Sequence, residues 1–518
     1  MIRGKKMPST FGPAATGTRD PSPVPPPAPG LPPPARGPVL AVAAAAGALL
    51  VLLSGRYGYV TDELYFLAAG KYYLDWGYMD QQPLVPLLAW VLDAAFPGRL
   101  VVFRLPAVLV TVLGVVVTAL ITRELGGDRR AQTLAAAAYP LSPWLLLSGH
   151  WLAAATMEPA QWATVIWLLV RWVRLHRQGL HRDRLLLAAG LVVALAVQTK
   201  FQIVVLCVAL LVSLLAVGPR ALLSRPLLWV GAGVALITAV PTLVWQAAND
   251  WPALDMGTVV DGESSRLLFL PNVLLYSGIA VGSVFCGYGL WWLLRAPGHR
   301  FLGWTVAAVA LFYLAASGRA NYLAGLYALL FAAAAVGLQQ RRERRGVHRW
   351  RRLPWPAYLL SAVLPLALLP IYPLPLLARH PEFPNFPRLY ETGWPELART
   401  VADTYHSLPA EVRRRTAVVG ESYYTTGALD VHGRELGLPR AYSPHRGYWF
   451  FGAPPDQATA MLYVGNAQPL APYFGTGREL ATVHSDLGLL NLAQGDTVTF
   501  YEGPKVPWSV LWPKIRTM

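Results

Sequence analysis

Eleven apolar segments, each long enough or nearly long enough to span a bilayer, leave few folds open to this chain. They cover residues 38–54, 101–122, 132–149, 158–170, 185–198, 201–217, 227–248, 271–294, 301–316, 320–338 and 355–377. Composition agrees, since 54% of the 518 residues are hydrophobic and only 14% are charged, too greasy a mixture for an ordinary soluble protein. The expectation is an all-α polytopic domain of about 11 transmembrane helices in the plasma membrane. A net charge of +16 would also suit a nucleic-acid partner, so the location of the charge must decide. With the N-terminus placed in the cytoplasm, the inside segments hold 24 Lys and Arg and the outside loops hold 6. That bias alternates in step with the segments, as the positive-inside rule requires, and it removes nucleic acid as a partner.

The flanks read differently. Residues 1–37 include "PSPVPPPAPGLPPPARGP", which cannot bury enough apolar surface to fold and is expected to be a disordered cytoplasmic tail rather than a signal peptide. The run "RRERRGVHRWRR", 341–352, is expected to be an inside loop near anionic lipid. Between these flanks lies the membrane domain, 38–377, with a first outside loop at 55–100. After residue 378 the composition turns mixed and polar, and "RTAVVGESYY" and "ATAMLYVGNA" read as short strands. An odd number of spans puts 378–518 outside, as a small α/β domain. Cys207 and Cys286 both lie in apolar runs, which argues against a disulfide framework or a cysteine metal site.

Charges are costly at a membrane face, and by default they point to function. Asp62 and Glu63 lie in the first outside loop, Glu158 opens the fourth segment, Lys200 sits at the "QTK" break and Arg319 in the turn "SGRANY". All five are expected at one face. An ion pair that only ties helices together is the structural alternative. For Glu63 it takes a particular form: neighbours on a helix point apart, so Glu63 orients something while Asp62 reacts. For Glu158 it is an acid at a helix N-terminus. An acid beside aromatics, with cations opposite, suits glycosyl transfer from a lipid-linked sugar: the carboxylate takes the acceptor proton and the cations hold the departing phosphate. The chain has no P-loop and no GxGxxG between strand and helix, so no nucleotide cofactor is indicated. Asp62, Glu63, Glu158 and His150 supply enough ligands for a divalent metal, but no spacing compels one.

The stretch "GYVTDELYFLAAGKYYLDWGYMDQQPLVPLLA" resembles the first-loop signature of bacterial members of the dolichyl-phosphate-mannose protein mannosyltransferase superfamily, relatives of the lipid A aminoarabinose transferase. "SGHWLAAATMEPAQWATVIWLLVRW", "AVQTKFQIVVL", "SGRANYLAGLYALLFAAAAVG" and "GALDVHGRELGLPRAYSPHRGYWFFG" extend the likeness over nearly the whole chain. It implies a GT-C fold with amphipathic helices in the first outside loop, a polyprenyl-phosphate sugar as donor, and a lipid, glycan or protein acceptor. It also implies inverting transfer with Asp62 as base, aided by Glu63 and Glu158. Lys200 and Arg319 would hold the phosphate, and Tyr322, Lys71 and His150 would contact substrate. Arg319 stands where the family usually has Lys, and Glu158 where it usually has Asp.

Two other classes compete. A lipid or solute transporter would carry charges near the bilayer midplane and often an internal repeat, whereas here the charges gather at one face and no repeat relates the halves. A catalytically inactive membrane scaffold bearing an outside domain is the third.

Overall fold

The computed structural model describes residues 30–346, 354–383, 386–466 and 468–518, with Met1 and Gly4. Most of the tail expected at 1–37, and the basic run from residue 347 to its end, lie outside the described residues. Pro32–Met518 hold together as one unit.

Every apolar segment becomes helix, though not always a single helix. In order these are α1 (Arg36–Leu53), α2 (Thr61–Tyr72) and α3 (Leu84–Ala95) in the first loop, α4 (Leu100–Glu124), α5 (Arg129–Ala138), α6 (Pro143–Ser148), α7 (Ala154–Arg177), α8 (Arg184–Val197), α9 (Gln202–Val217), α10 (Pro226–Ala248), α11 (Met256–Glu263), α12 (Arg266–Ser277), α13 (Val281–Arg295), α14 (Arg300–Ala315), α15 (Tyr327–Arg345) and α16 (Pro354–Ala367). The segment 132–149 splits into α5 and α6 because Pro140 and Pro143 lack the N–H that a continuing helix needs. Ser142 then caps α6, its hydroxyl accepting from the Leu145 amide at 3.2 Å. The segment 271–294 breaks at Gly278, whose φ of 120° only glycine adopts readily, and α12 and α13 meet there at 109°.

Among the described residues four helices are long and apolar enough to cross a membrane: α1, α4, α10 and the stretch Ala320–Arg345. The bent pair makes a fifth, and five shorter apolar helices accompany them. The expected figure of eleven spans is therefore not reached by length and composition. Helices of 14 and 16 residues such as α8 and α9 rise only about 21–24 Å, short of the roughly 30 Å of a hydrocarbon core.

The stretch Ala320–Arg345 lies at the centre, with 83% of its apolar window buried. Ala332, Ala333, Ala334 and Ala335 are all buried, and such small side chains let neighbouring helices approach closely. α8 and α10 meet backbone to backbone. A Cβ on Gly190 would lie 2.3 Å from the Gly231 Cα, so both positions must be glycine.

The C-terminal region forms a five-stranded sheet in the order β2-β1-β3-β5-β4, from β1 (Thr416–Gly420), β2 (Ala441–Tyr442), β3 (Ala460–Val464), β4 (Arg478–Thr482) and β5 (Thr497–Glu502). β1 runs parallel to β2 and β3, and β5 antiparallel to β3 and β4. Both expected strands are present as β1 and β3. Each is buried at every position, which explains their unbroken apolar runs. The helix Trp394–Ser407 packs Trp394, Leu397 and Val401 with Val418 and Leu462, while Trp508, Leu511 and Trp512 pack with Val419 and Met461. The domain sits on α2: a Cβ on Gly447 would fall 1.9 Å from the Tyr65 hydroxyl.

Replacing Gly231 with Leu should lower the thermal midpoint of the detergent-solubilised protein sharply. Gly233→Leu, two residues along the same helix with nothing within 4 Å of its Cβ position, should leave it nearly unchanged.

Candidate active site

The first turn of α2 carries two adjacent acids that face different surroundings. Glu63 points inward. Its carboxylate accepts from the Val60 amide at 3.0 Å, from the Leu152 amide at 2.9 Å, and from Arg104 Nε at 2.9 Å and Nη2 at 2.7 Å. Arg104, on α4, also donates to the carbonyls of Ser54 and Gly58 at 2.8 and 2.9 Å, and its Nη1 lies 3.1 Å from His150 Nε2. His150 Nε2 is 3.3 Å from Glu391, which accepts from the Trp151 indole at 2.8 Å. The side chains of Glu63, Arg104, His150 and Glu391 are fully buried. Burial of Glu391 opposes its ionisation, but His150 and Arg104 outweigh that and hold its carboxyl below the usual carboxylate range.

Asp62, one residue earlier, turns the other way, into a cleft of about 410 Å³. The cleft is bounded by the first loop, the turns at Lys200 and Arg319, α11 and the C-terminal domain. Asp62 accepts from the Tyr423 hydroxyl at 2.9 Å. Asp80 faces the same space and accepts from Tyr65 at 3.2 Å; burial and the nearby Asp62 push its carboxyl above the usual carboxylate range. Gln81 and Gln82 also line the cleft and are nearly buried, yet both amide atoms of Gln81 and the amide oxygen of Gln82 lack a partner. Buried polar groups are normally satisfied, so these amides are open to water or a ligand in the cleft.

Cations line the cleft with them. Lys200 sits 5.0 Å above the Tyr322 ring and, among the described residues, has no carboxylate within 4 Å. Arg319 and Arg446 both bind Glu263 at the end of α11. Burial opposes ionisation of Glu263, but the two arginines outweigh it and hold its carboxyl below the usual range. Arg446 reaches the cleft from a left-handed backbone with φ 47°, unusual for a side-chain-bearing residue and of the kind found where a group must be aimed. Glu158 and Lys200 share a side recess of about 20 Å³ with Tyr322.

Of the five charges expected at one face, Asp62, Lys200 and Arg319 line the cleft and Glu158 the adjoining recess. Glu63 does not reach it, because Arg104 and two backbone amides take up its carboxylate. His150 is likewise enclosed in the Arg104 network, and Lys71 pairs outside the cleft with Asp93 at 3.1 Å. Glu63, expected to aid Asp62, and His150 and Lys71, expected to contact substrate, thus each lie outside the cleft and bond to protein groups there. The four ligands considered for a divalent metal therefore do not converge, and among the described residues no three His, Cys, Asp or Glu side chains are grouped to hold one. Sequence reasoning missed Asp80, Gln81, Tyr423 and Arg446 as site residues. The "MDQQP" motif holds Asp80 and Gln81, "SPHRGYWF" holds Arg446, and Tyr423 lies in the predicted strand stretch "RTAVVGESYY".

The family model for dolichyl-phosphate-mannose-protein mannosyltransferase matches residues 80–245. Among solved structures, apo ArnT from Cupriavidus metallidurans superposes with a TM-score of 0.57 at 15% identity, covering 90% of this chain and 98% of that one. This chain shares the GT-C fold of that structure. ArnT from the same organism bound to undecaprenyl phosphate gives a TM-score of 0.56 at 16% identity, covering 89% of this chain and 97% of that one. None of the curated proteins matches the chain in sequence. The likeness to GT-C structures is thus one of fold, and it spans both the helical region and the sheet domain.

Arg104→Met should cost about 3–5 kcal/mol, since it strands Glu63 as a buried unpaired charge. Thermal unfolding of the purified protein would show it, and the double variant Glu63→Gln/Arg104→Met should recover part of the loss.

Proposed function

We propose that the protein is a membrane glycosyltransferase that moves a sugar from a polyprenyl-phosphate donor to an acceptor hydroxyl with inversion. The observation that carries this reading is one cleft lined by a carboxylate, Asp62, and by a lysine, Lys200, that among the described residues makes no direct ion pair and has only Glu158 nearby, in the adjoining recess. Similarity to ArnT, which has been solved with undecaprenyl phosphate, supports a lipid-phosphate donor.

In this mechanism Asp62 takes the proton from the acceptor hydroxyl as its oxygen attacks the anomeric carbon. The bond from that carbon to the phosphate oxygen breaks on the opposite face, and the electron pair leaves with the lipid phosphate. Lys200, Arg319 and Arg446 hold the negative charge that develops there. Tyr423 keeps Asp62 aimed by donating to it, and Tyr322 supports Lys200. The unpartnered Gln81 and Gln82 amides serve sugar hydroxyls. Glu158 positions Lys200 from the recess, while Glu63 and His150 hold the first loop in place and touch no substrate. The C-terminal domain lies outside the cell and completes the cleft there.

Asp62→Asn keeps the shape but cannot take the proton. Turnover in nanodiscs should fall by roughly two to four orders of magnitude with donor affinity little changed. Lys200→Gln should instead weaken donor binding and transition-state stabilisation by about 2 kcal/mol. Normal turnover in Asp62→Asn, with loss in Glu158→Gln, would move the base to Glu158. In intact cells a membrane-impermeant thiol reagent should label Gln457→Cys and leave Gly346→Cys unlabelled; the reverse pattern would invert the orientation.

A further inference from the structure

At the far end of α15 from the cleft lies a second concavity, of about 850 Å³ and larger than the first. α15 separates them by 19 residues, about 28 Å of rise and so roughly one hydrocarbon thickness. The concavity is lined by Arg177 at the end of α7, Arg295 at the end of α13, and Arg341, Arg344 and Arg345 on the last turns of α15. No carboxylate lines it. Among the described residues none of these five arginines has an Asp or Glu within 4 Å. Other arginines at this end are neutralised: Arg174 by Glu124, Arg225 by Asp183 and Arg342 by Asp128. Arg177 donates to the Gly298 carbonyl at 2.6 Å, but convergence of guanidinium groups from three helices on one hollow with no carboxylate in reach is unfavourable unless an anion occupies it.

The walls indicate what kind of anion. Along α13 the residues Val284, Tyr288, Trp291 and Arg295 repeat at helical spacing and share one face. Val284 is 60% exposed and Trp291 46%, so this face is an open apolar track. It ends where the Arg295 guanidinium lies 4.5 Å over the Trp291 ring, which stacks on Tyr288. A soluble phosphate would use the arginines and leave the track empty; an acyl chain along the track with a phosphate at its end uses both.

We propose that this hollow is a binding site for an anionic phospholipid, its phosphate held by Arg295, Arg341 and Arg344 and its acyl chain lying along α13. The site is separate from the cleft and stands whether or not the transfer reaction is confirmed.

The test is retention of lipid by the full-length protein in native mass spectrometry, with dioleoyl-phosphatidylglycerol or dioleoyl-phosphatidylcholine added to the detergent. The wild type should retain phosphatidylglycerol preferentially. Arg295→Gln/Arg341→Gln/Arg344→Gln should lose that preference, by about a hundredfold for three charges, while Lys at the same three positions keeps most of it. Arg182→Gln/Arg184→Gln removes charge from exposed positions at the ends flanking α8 and should change nothing. Equal loss in both Gln sets would reduce the effect to general surface charge and overturn the site. Displacement of the lipid by millimolar inorganic phosphate in the wild type would make it a soluble-anion site and overturn the lipid assignment. All the substituted arginines are exposed, so thermal midpoints should match across the set.

Discussion

The buried pair between Arg104 and Glu63 is the constraint on which the architecture around the cleft depends. A single guanidinium binds a helix that crosses the core, the first turn of α2, the carbonyls that close α1, and the loop at His150 and Trp151. Through Glu391 the same network reaches the segment that leads into the C-terminal domain. A charge pair shut away from water contributes little net stability. Its value is geometric, because the Arg104 guanidinium meets Glu63 and two backbone carbonyls at once and a shift of any one element would leave a charge unmatched. The pair thereby fixes the rotation of α2, and with it the direction in which Asp62 faces.

The cleft itself is a meeting of opposite charges that do not neutralise one another fully. Asp62 and Asp80 lie with Lys200, Arg319 and Arg446, and among the described residues Glu263 alone forms ion pairs with the two arginines. The sheet domain is part of this arrangement. Tyr423 and Arg446 come from it, and their contacts with Asp62 and Glu263 make the domain a wall of the cleft. A transfer reaction in such a site would gain from charges already in place and from the exclusion of water.

Much of this was legible in the sequence. Apolar runs became helices because nothing but backbone hydrogen bonding can satisfy so greasy a segment, and the buried strands β1 and β3 announced themselves as short apolar runs. Lys200 and Arg319 stood out as charges in otherwise apolar turns. The adjacency of Asp62 and Glu63 already implied that they part company, with Glu63 in the orienting role, but not what holds Glu63 inward; that is Arg104, forty-one positions away and indistinguishable in sequence from any arginine near a helix start. Tyr423 and Arg446 were beyond reach for the same reason, since their partners lie far off along the chain. The count of eleven spans is not confirmed, because composition marks where a helix forms and not how far it runs: α8 and α9 stop short, and proline or glycine divides two other segments.

The shortness of α8 and α9 shapes the bilayer as well as the protein. Both end at the turn carrying Lys200, after about 21 and 24 Å of rise, while α4 rises about 37 Å. Lipid meeting such unequal neighbours adjusts its thickness at modest cost, thinning beside the short pair. If both helices face lipid, the headgroup layer would dip toward Lys200, forming a shallow depression in the membrane surface. In the proposed reaction a lipid phosphate would then meet the half-buried lysine without leaving its own polar layer, and the membrane's deformation would take over part of the work of bringing the two together.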